Sequence, residues 1–427
     1  MKKSISLLII IFIFSSDLYS QNSETFYFLN KQYVNKEYFK FRNGYTSAKD
    51  NLNDFERLYL GAFGDAISGS AGNSNNRIKN LFSSYSDILS DSMKFELLKS
   101  KADNLILLNN YKEAFMTLKE LLSSYESLLG KEEFEDYLDT KNMMEILQDS
   151  PPMIIVKKEE SEISISKDIA GLINMPVNIS GNKFDFIFDT GANFSVITES
   201  NAKKVNMKLS EKTFKVGTAT GIKADAWVGI SGQINIGNCV LDKIAFIVLP
   251  DEALSFGGGI YKIQGIIGIP VAIALSEITL KDYKEMFIPA KPDTIPGNYN
   301  MCFSGLLPII NLERGIDSLA FIFDSGAQMT MLFVPYYNKY KKEIDDNYKP
   351  EKFKIGGAGG DVEVTGFIID FVKLKSDSYS VSLGDVRLIS EKIKDTHFYF
   401  FGNLGQDFFK KSKNIKLNFR NPSIVIN

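Results

Sequence analysis

Two stretches of this chain carry the same chemistry-bearing pattern. Residues 184–198 read FDFIFDTGANFSVIT and residues 319–333 read LAFIFDSGAQMTMLF. Between positions 186–192 and 321–327 six of seven residues are identical, the seventh being Thr190 against Ser325. In each copy an apolar run delivers an aspartate, Asp189 or Asp324, into the interior. The glycine after it, Gly191 or Gly326, permits a tight turn. The alanine that follows, Ala192 or Ala327, leaves room above the carboxylate. A lone D-[ST]-G arises by chance in roughly one chain in five of this length and is usually a capped turn. Two copies, each behind FIF, make the aspartates the leading candidates for general acid–base work.

The rest of the inventory narrows the chemistry. Of 427 residues, only His397 is a histidine and only Cys239 and Cys302 are cysteines. A Ser-His or Cys-His catalytic pair needs a histidine, which the aromatic setting of His397 marks as structural. Histidine-rich zinc sites and cysteine knuckles need more ligands than the chain has, so neither a metal nor a cofactor is expected. The formal charge of −3 argues against nucleic acid as a partner. At 44% apolar and 24% charged residues the composition is globular, and the length suggests two to four domains.

Four segments must position the aspartates. Residues 1–20 have a signal-peptide layout: Lys2 and Lys3, the apolar run ISLLIIIFIF, then small and polar residues. The run is too short for a comfortable membrane span, so an exported chain, periplasmic or secreted, is expected. Residues 21–150 read as an α-helical domain. Apolar positions between 111 and 129 fall at spacings of three and four, residues 95–108 form a second helix, and residues 69–76 read as a loop. That helix pair resembles a tetratricopeptide-type hairpin and fits equally any antiparallel pair, so this region is the candidate docking surface for a protein partner. Pro151-Pro152 closes it, and short β-type runs follow, split into 151–290 and 291–427 by a proline-bearing stretch near 289–296.

The two β-rich pieces repeat three landmarks beyond the aspartate motif. Met175-Pro176-Val177 parallels Leu307-Pro308-Ile309, and Lys215-Val216-Gly217 parallels Lys354-Ile355-Gly356. GIIGIP at 265–270 parallels GNLGQDFF at 402–409. Asp189 and Gly268 lie 79 residues apart, Asp324 and Gly405 81 apart.

On these motifs the chain resembles the aspartic proteases, and D-T-G-A with a later I-I-G or L-G is similar to their retropepsin-like branch. The resemblance covers residues 155–427. It implies a mainly β, bilobal acid-protease fold with both lobes in one monomeric chain, preceded by the all-α domain, and a peptide or protein substrate. Asp189 and Asp324 would meet at the lobe interface, share a proton and activate a water. Thr190 and Ser325 would bond across that interface. Ile266, Ile267 and Gly268, with Leu404 and Gly405, would pack behind the loops. Hairpins near Gly217 and Gly221 and near Gly356 and Gly359 would be flaps. Two departures stand out: Ser325 replaces threonine but keeps the hydroxyl, and Asn403, where an apolar residue is usual, weakens the second lobe. A degenerate, peptide-binding body is the other reading, against which both aspartates are present.

Smaller features read as structural. Cys239 and Cys302 are two buried thiols whose pairing the sequence leaves open. Trp227 packs in the core or on its hairpin, the sequon at Asn193 carries no role, and the acidic run Glu132, Glu133, Glu135 and Asp136 is a solvated helix face. The alanines carry a prediction. Neither Ala192 nor Ala327 can offer the hydroxyl that would favour an ionised aspartate, so the one-proton state should persist to higher pH. A cleavage optimum between weakly acidic and neutral pH is expected. Replacing both alanines with serine should move the acidic limb of the pH–rate profile downward; an unmoved limb, or a wild-type optimum near pH 2–3, contradicts it.

Overall fold

The computed structural model describes residues 23–217, 223–294, 299–357, 360–377, 379–391 and 399–427. The leader segment, Gly221, Gly359 and His397 lie outside them. Among the described residues no helix is long and apolar enough to cross a membrane.

The first 125 or so described residues are helical, in seven α-helices joined by short turns: α1 (Glu24–Val34), α2 (Tyr38–Ala48), α3 (Asp54–Ile67), α4 (Ala71–Ser84), α5 (Asp91–Leu107), α6 (Tyr111–Ser124) and α7 (Lys131–Leu147). Side-chain caps fix several starts, satisfying amides that have no partner within the helix. Ser23 accepts from the Phe26 amide, Asn53 and Glu56 form a capping box on α3, and Asn110 caps α6.

Two expectations need correction here. The loop expected at 69–76 is only a turn at Gly69-Ser70. Gly69, at φ +72°, ends α3, and the polar run beyond it is the first half of α4, held by the buried Ala71, Ser74, Ile78 and Leu81. Tertiary burial overrides the weak helix propensity of Gly, Asn and Ser. The face read from 111 to 129 likewise breaks at Tyr125 into a 3₁₀ turn, Glu126–Leu128. Nor is the hairpin of α5 and α6 alone: α1 packs on α2, and α3 on α4.

The β-rich remainder builds one sheet twice. In the first copy the strands are β1 (Ile173–Ile179), β2 (Asn182–Phe188), β3 (Ser195–Thr198), β4 (Phe214–Gly217), β5 (Lys223–Ile230), β6 (Ile234–Ile236), β7 (Cys239–Asp242), β8 (Ala245–Leu249) and β9 (Gly265–Ile267). In the second they are β10 (Leu307–Arg314), β11 (Asp317–Phe323), β12 (Met331–Leu332), β13 (Glu351–Gly357), β14 (Gly360–Ile369), β15 (Val372–Ser376), β16 (Tyr379–Leu383), β17 (Val386–Ile389) and β18 (Gly402–Leu404). The spatial orders are β7-β6-β1-β2-β9-β3-β8-β5-β4 and β16-β15-β10-β11-β18-β12-β17-β14-β13. Each strand of the second order is the ninth after its counterpart in the first. The parallel ladders match as well: β2 with β9 and β3 with β8, then β11 with β18 and β12 with β17.

The register corrects one landmark. Met175 pairs with Phe186, and the residue pairing with Phe321 is Ile310. Pro176 therefore corresponds to Asn311, not Pro308; Pro308 lies on an extension of β10 that pairs with Met301–Ser304. The shared proline was a coincidence of composition three residues out of register.

A third sheet ties the copies together, with Glu277–Lys281 antiparallel to Asn414–Asn418. At this seam the buried Glu277 carboxylate accepts from the Asn418 side chain and the Asp293 amide, each at 2.9 Å. The helices bridge both copies. Phe26, Phe41, Tyr59 and Phe63 share a core with Cys302, Ile309 and Phe400 of the second. Arg42 donates to the carbonyls of Tyr299 and Met301 and lies 3.2 Å from Cys302 Sγ. Both cysteines are buried and unbridged.

Helix α7 meets the first copy. It leans on the β4–β5 hairpin, where Lys223 Nζ lies 2.6 Å from Asp139 and 3.9 Å from Glu135. Glu133 pairs with Lys99 at 3.0 Å. The acidic run is thus not simply a solvated face, since cations from two other elements approach it. A partly buried pair of this kind contributes up to about 1 kcal/mol. Lys223→Met should therefore speed amide exchange in residues 214–217 and 223–230 by about two- to fivefold, leaving β13 and β14 unchanged. Unchanged exchange in β4 and β5 would show that α7 does not restrain this hairpin.

Candidate active site

Each aspartate arrives on a strand held from both sides. β2 lies between β1 and β9, with Ile266 opposite Ile187 and Ile267 opposite Phe188. β11 lies between β10 and β18, with Asn403 opposite Ile322 and Leu404 opposite Phe323. The ladders continue one step past each strand: the Asp189 amide donates to the Ile267 carbonyl at 3.0 Å, the Asp324 amide to that of Leu404 at 3.1 Å. Behind each loop the chain returns through a glycine. A Cβ on Gly268 would lie 2.7 Å from the Ala192 carbonyl oxygen, and one on Gly405 would lie 2.5 Å from the Met329 backbone.

The two loops exchange hydrogen bonds reciprocally. The Thr190 hydroxyl accepts from the Ser325 amide at 3.0 Å and donates to the Phe323 carbonyl at 2.8 Å. The Ser325 hydroxyl accepts from the Thr190 amide at 3.0 Å and donates to the Phe188 carbonyl at 2.8 Å. Both side chains are fully buried. A buried hydroxyl must both give and receive to escape a desolvation cost, and each does so across the interface.

This exchange sets the carboxylates side by side. A Cβ on Gly191 would lie 2.7 Å from Asp324 Cγ, and one on Gly326 would collide with Asp189 Cγ. Neither glycine has a positive φ. What the position demands is close approach by the opposite aspartate, not a left-handed backbone. Asp189 Oδ1 accepts from the amides of Gly191 (2.8 Å) and Ala192 (3.1 Å), and Asp324 Oδ1 from that of Gly326 (2.9 Å). Burial, then the Asp324 charge, pushes Asp189 well above the usual carboxylate range. Burial also raises Asp324, opposed by donors, foremost the Asn403 amide. Among the described residues no cluster of acidic, histidine or cysteine side chains has the makings of a metal site.

Of the flap candidates, Gly217 ends β4 and Gly356 lies on β13, both on outer hairpins. Gly221 and Gly359 fall outside the described residues. Trp227 is half-buried on β5 opposite Val248.

Four polar residues behind the loops were not singled out for these roles. Ser195 Oγ accepts from the Gly268 amide and Thr330 Oγ1 from that of Gly405, both at 3.2 Å. Asp407 takes the Thr330 amide and hydroxyl, each at 2.7 Å, and Gln406 Nε2 donates to the Ser325 carbonyl at 3.0 Å. Asn403 requires a correction. It is not only a departure from an apolar core: its Nδ2 donates to Asp324 Oδ2 at 2.7 Å, while its Oδ1 is buried without a partner. The signal lay in the difference between copies, where Ile266, Ile269 and Pro270 give way to Asn403, Gln406 and Asp407.

The exchange predicts a specific sensitivity. Thr190→Val keeps the shape but strips partners from the Ser325 amide and the Phe323 carbonyl, both buried. Urea unfolding should show a loss on the order of 3 kcal/mol. Thr190→Ser, which copies the second loop, should lose under about 1 kcal/mol. Equal losses in the two variants would mean that packing, not the hydroxyl, holds the loops.

Residues 175–271 match a family model described as aspartyl protease. The match runs from β1 past β9 and includes Asp189 and Gly268. No curated protein matches the chain. The β-rich part of the molecule thus contains an aspartyl protease-like domain.

Proposed function

We propose that this protein is an exported aspartic endopeptidase with a single-chain, bilobal, retropepsin-like catalytic body. Residues 151–290 and 291–427 are its lobes, and Asp189 and Asp324 its catalytic pair. The observation that carries the reading is the reciprocal exchange between Thr190 and Ser325. It uses two buried hydroxyls to hold two carboxylates together, an arrangement that costs stability and so marks a candidate functional site.

The chemistry follows from that proximity. Two adjacent buried carboxylates hold one proton between them over a range of pH. The ionised member takes a proton from a water lying between them, and the oxygen of that water attacks the peptide carbonyl. The protonated member gives its proton to the carbonyl oxygen, forming a gem-diol. Collapse of the diol expels the amine, which the pair protonates as the roles reverse. The outer hairpins β4–β5 and β13–β14 close over the peptide, and the leader at residues 1–20 directs export. The helical region, with its tetratricopeptide-like hairpin, braces both lobes and is the surface for a protein partner. With both lobes in one chain, the active unit is a monomer.

Purified mature chain should cleave unfolded casein in a pepstatin-sensitive manner between pH 3 and 8. Asp189→Asn and Asp324→Asn should each lower the rate by at least ~100-fold with an unchanged circular dichroism spectrum. Most of the activity surviving in either variant rules the pair out. Stability gives a second reading. A carboxyl raised on folding costs the native state progressively more as pH climbs from its unfolded value to its folded one. Asn does not titrate, so Asp189→Asn should melt above wild type at neutral pH and converge with it as the pH falls.

A further inference from the structure

The two carboxylates do not have equivalent surroundings. β9 and β18 stand in the same place behind the two loops, and Ile266 and Asn403 occupy the same register on them. In the first copy that position carries a side chain without a donor. In the second, Asn403 Nδ2 reaches Asp324 Oδ2 at 2.7 Å. Asp324 therefore receives an N–H on each oxygen, from Gly326 on Oδ1 and Asn403 on Oδ2. Asp189 receives both of its amides on Oδ1. Among the described residues no donor from outside the pair reaches Asp189 Oδ2.

A carboxylic acid proton needs an oxygen that is not already facing a donor. An N–H aimed at an oxygen favours the ionised form and repels a proton placed there. We propose that Asn403 is a positioning residue that makes the pair inequivalent: it holds Asp324 as the ionised base and leaves the shared proton on Asp189 Oδ2. This deepens the protease reading and rests on it for its catalytic consequence. Asp324 then takes the proton from the water, and Asp189 gives its own to the carbonyl oxygen.

Other charges do not account for the difference. β2, β9 and β3 pair behind the first loop as β11, β18 and β12 do behind the second. Behind the second loop the Asp407 carboxylate is turned onto Thr330, and Asp168, on the loop whose Gly171 lies near Gln328, accepts from Asn174 and Tyr261. Among the described residues no lysine or arginine makes an ion pair or hydrogen bond with Asp189 or Asp324. Burial and the Asp324 charge raise Asp189, while the Asn403 amide is the foremost influence opposing the rise of Asp324. The Asn403 Oδ1 atom is buried without a partner. Turning the amide over would set that oxygen against Asp324 Oδ2, which is favourable only if the proton sits on Asp324. The location of the proton is thus the quantity to measure.

The test is a carboxyl-carbon NMR titration of the full mature chain labelled with [4-13C]aspartate. The two resonances are assigned by their loss in Asp189→Asn and Asp324→Asn. In wild type the lower of the two ionisation steps should belong to Asp324. Asn403→Leu, which keeps a branched side chain of similar size but removes the donor, should raise that step by about one pH unit. Asn403→Ala is the second variant should leucine prevent folding. Moving the donor, with Asn403→Ile and Ile266→Asn together, should transfer the lower step to Asp189, an outcome that a merely structural role for Asn403 would not produce. A lower step on Asp189 in wild type, or no movement in a folded Asn403 variant, overturns the proposal. Casein cleavage is read separately: its absence would reject the protease reading while leaving the titration able to judge Asn403.

Discussion

The pair of loops at Asp189 and Asp324 depends on one interaction, the crossed use of the Thr190 and Ser325 hydroxyls. Each hydroxyl stands in for a backbone partner that the opposite loop lacks, so neither loop can keep its buried amide and carbonyl satisfied alone. That mutual dependence turns two similar sheets into one site. It also explains the glycines at 191 and 326, which leave room for the opposite carboxylate. Holding two carboxylates in that space is electrostatically unfavourable, and the exchange of four buried hydrogen bonds offsets the cost.

Around this centre the molecule is symmetric in strand order and asymmetric in polarity. Nine strands of one copy have counterparts in the other, down to the two parallel ladders. The segment behind the first loop is apolar, whereas behind the second Asn403, Gln406 and Asp407 form hydrogen bonds to Asp324, Ser325 and Thr330. One copy is thus oriented by packing and the other by directed polar contacts. The network is directed but not fully satisfied, since Asn403 Oδ1 and Gln406 Oε1 are buried without a partner among the described residues. An otherwise two-fold frame can in this way hold two aspartates in different states.

The helical region gives the frame a second tie. Its early helices share an aromatic core with the second copy, and α7 lies on an outer hairpin of the first. Together with the strand pairing of Glu277–Lys281 and Asn414–Asn418, it limits rotation of one copy against the other. The contacts differ in kind: a buried aromatic core at one end, and partly exposed ion pairs involving Lys223 at the other. The hairpin is therefore the more easily released of the two attachments.

The sequence by itself determined the repeated aspartate strand, the landmarks behind it, and the division into a helical and a β-rich part. Those features rest on local pattern: hydrophobic period, turn residues and near-identity between two segments. The helix limit at 69–76 was illegible because burial of Ala71 and Ile78 depends on neighbours distant in the chain, and the one at 125–129 because a local 3₁₀ turn, Glu126–Leu128, leaves the apolar spacing unbroken. The false match of Pro176 with Pro308 failed for a related reason, since register is set by hydrogen-bonded partners and not by composition. Asn403 was visible as an anomaly but was misread, because whether an amide disturbs a core or serves a carboxylate depends on what lies within 3 Å of it. Only the tertiary structure brought Asp324 to that distance, and it did so by pairing β11 with β18, segments some eighty residues apart.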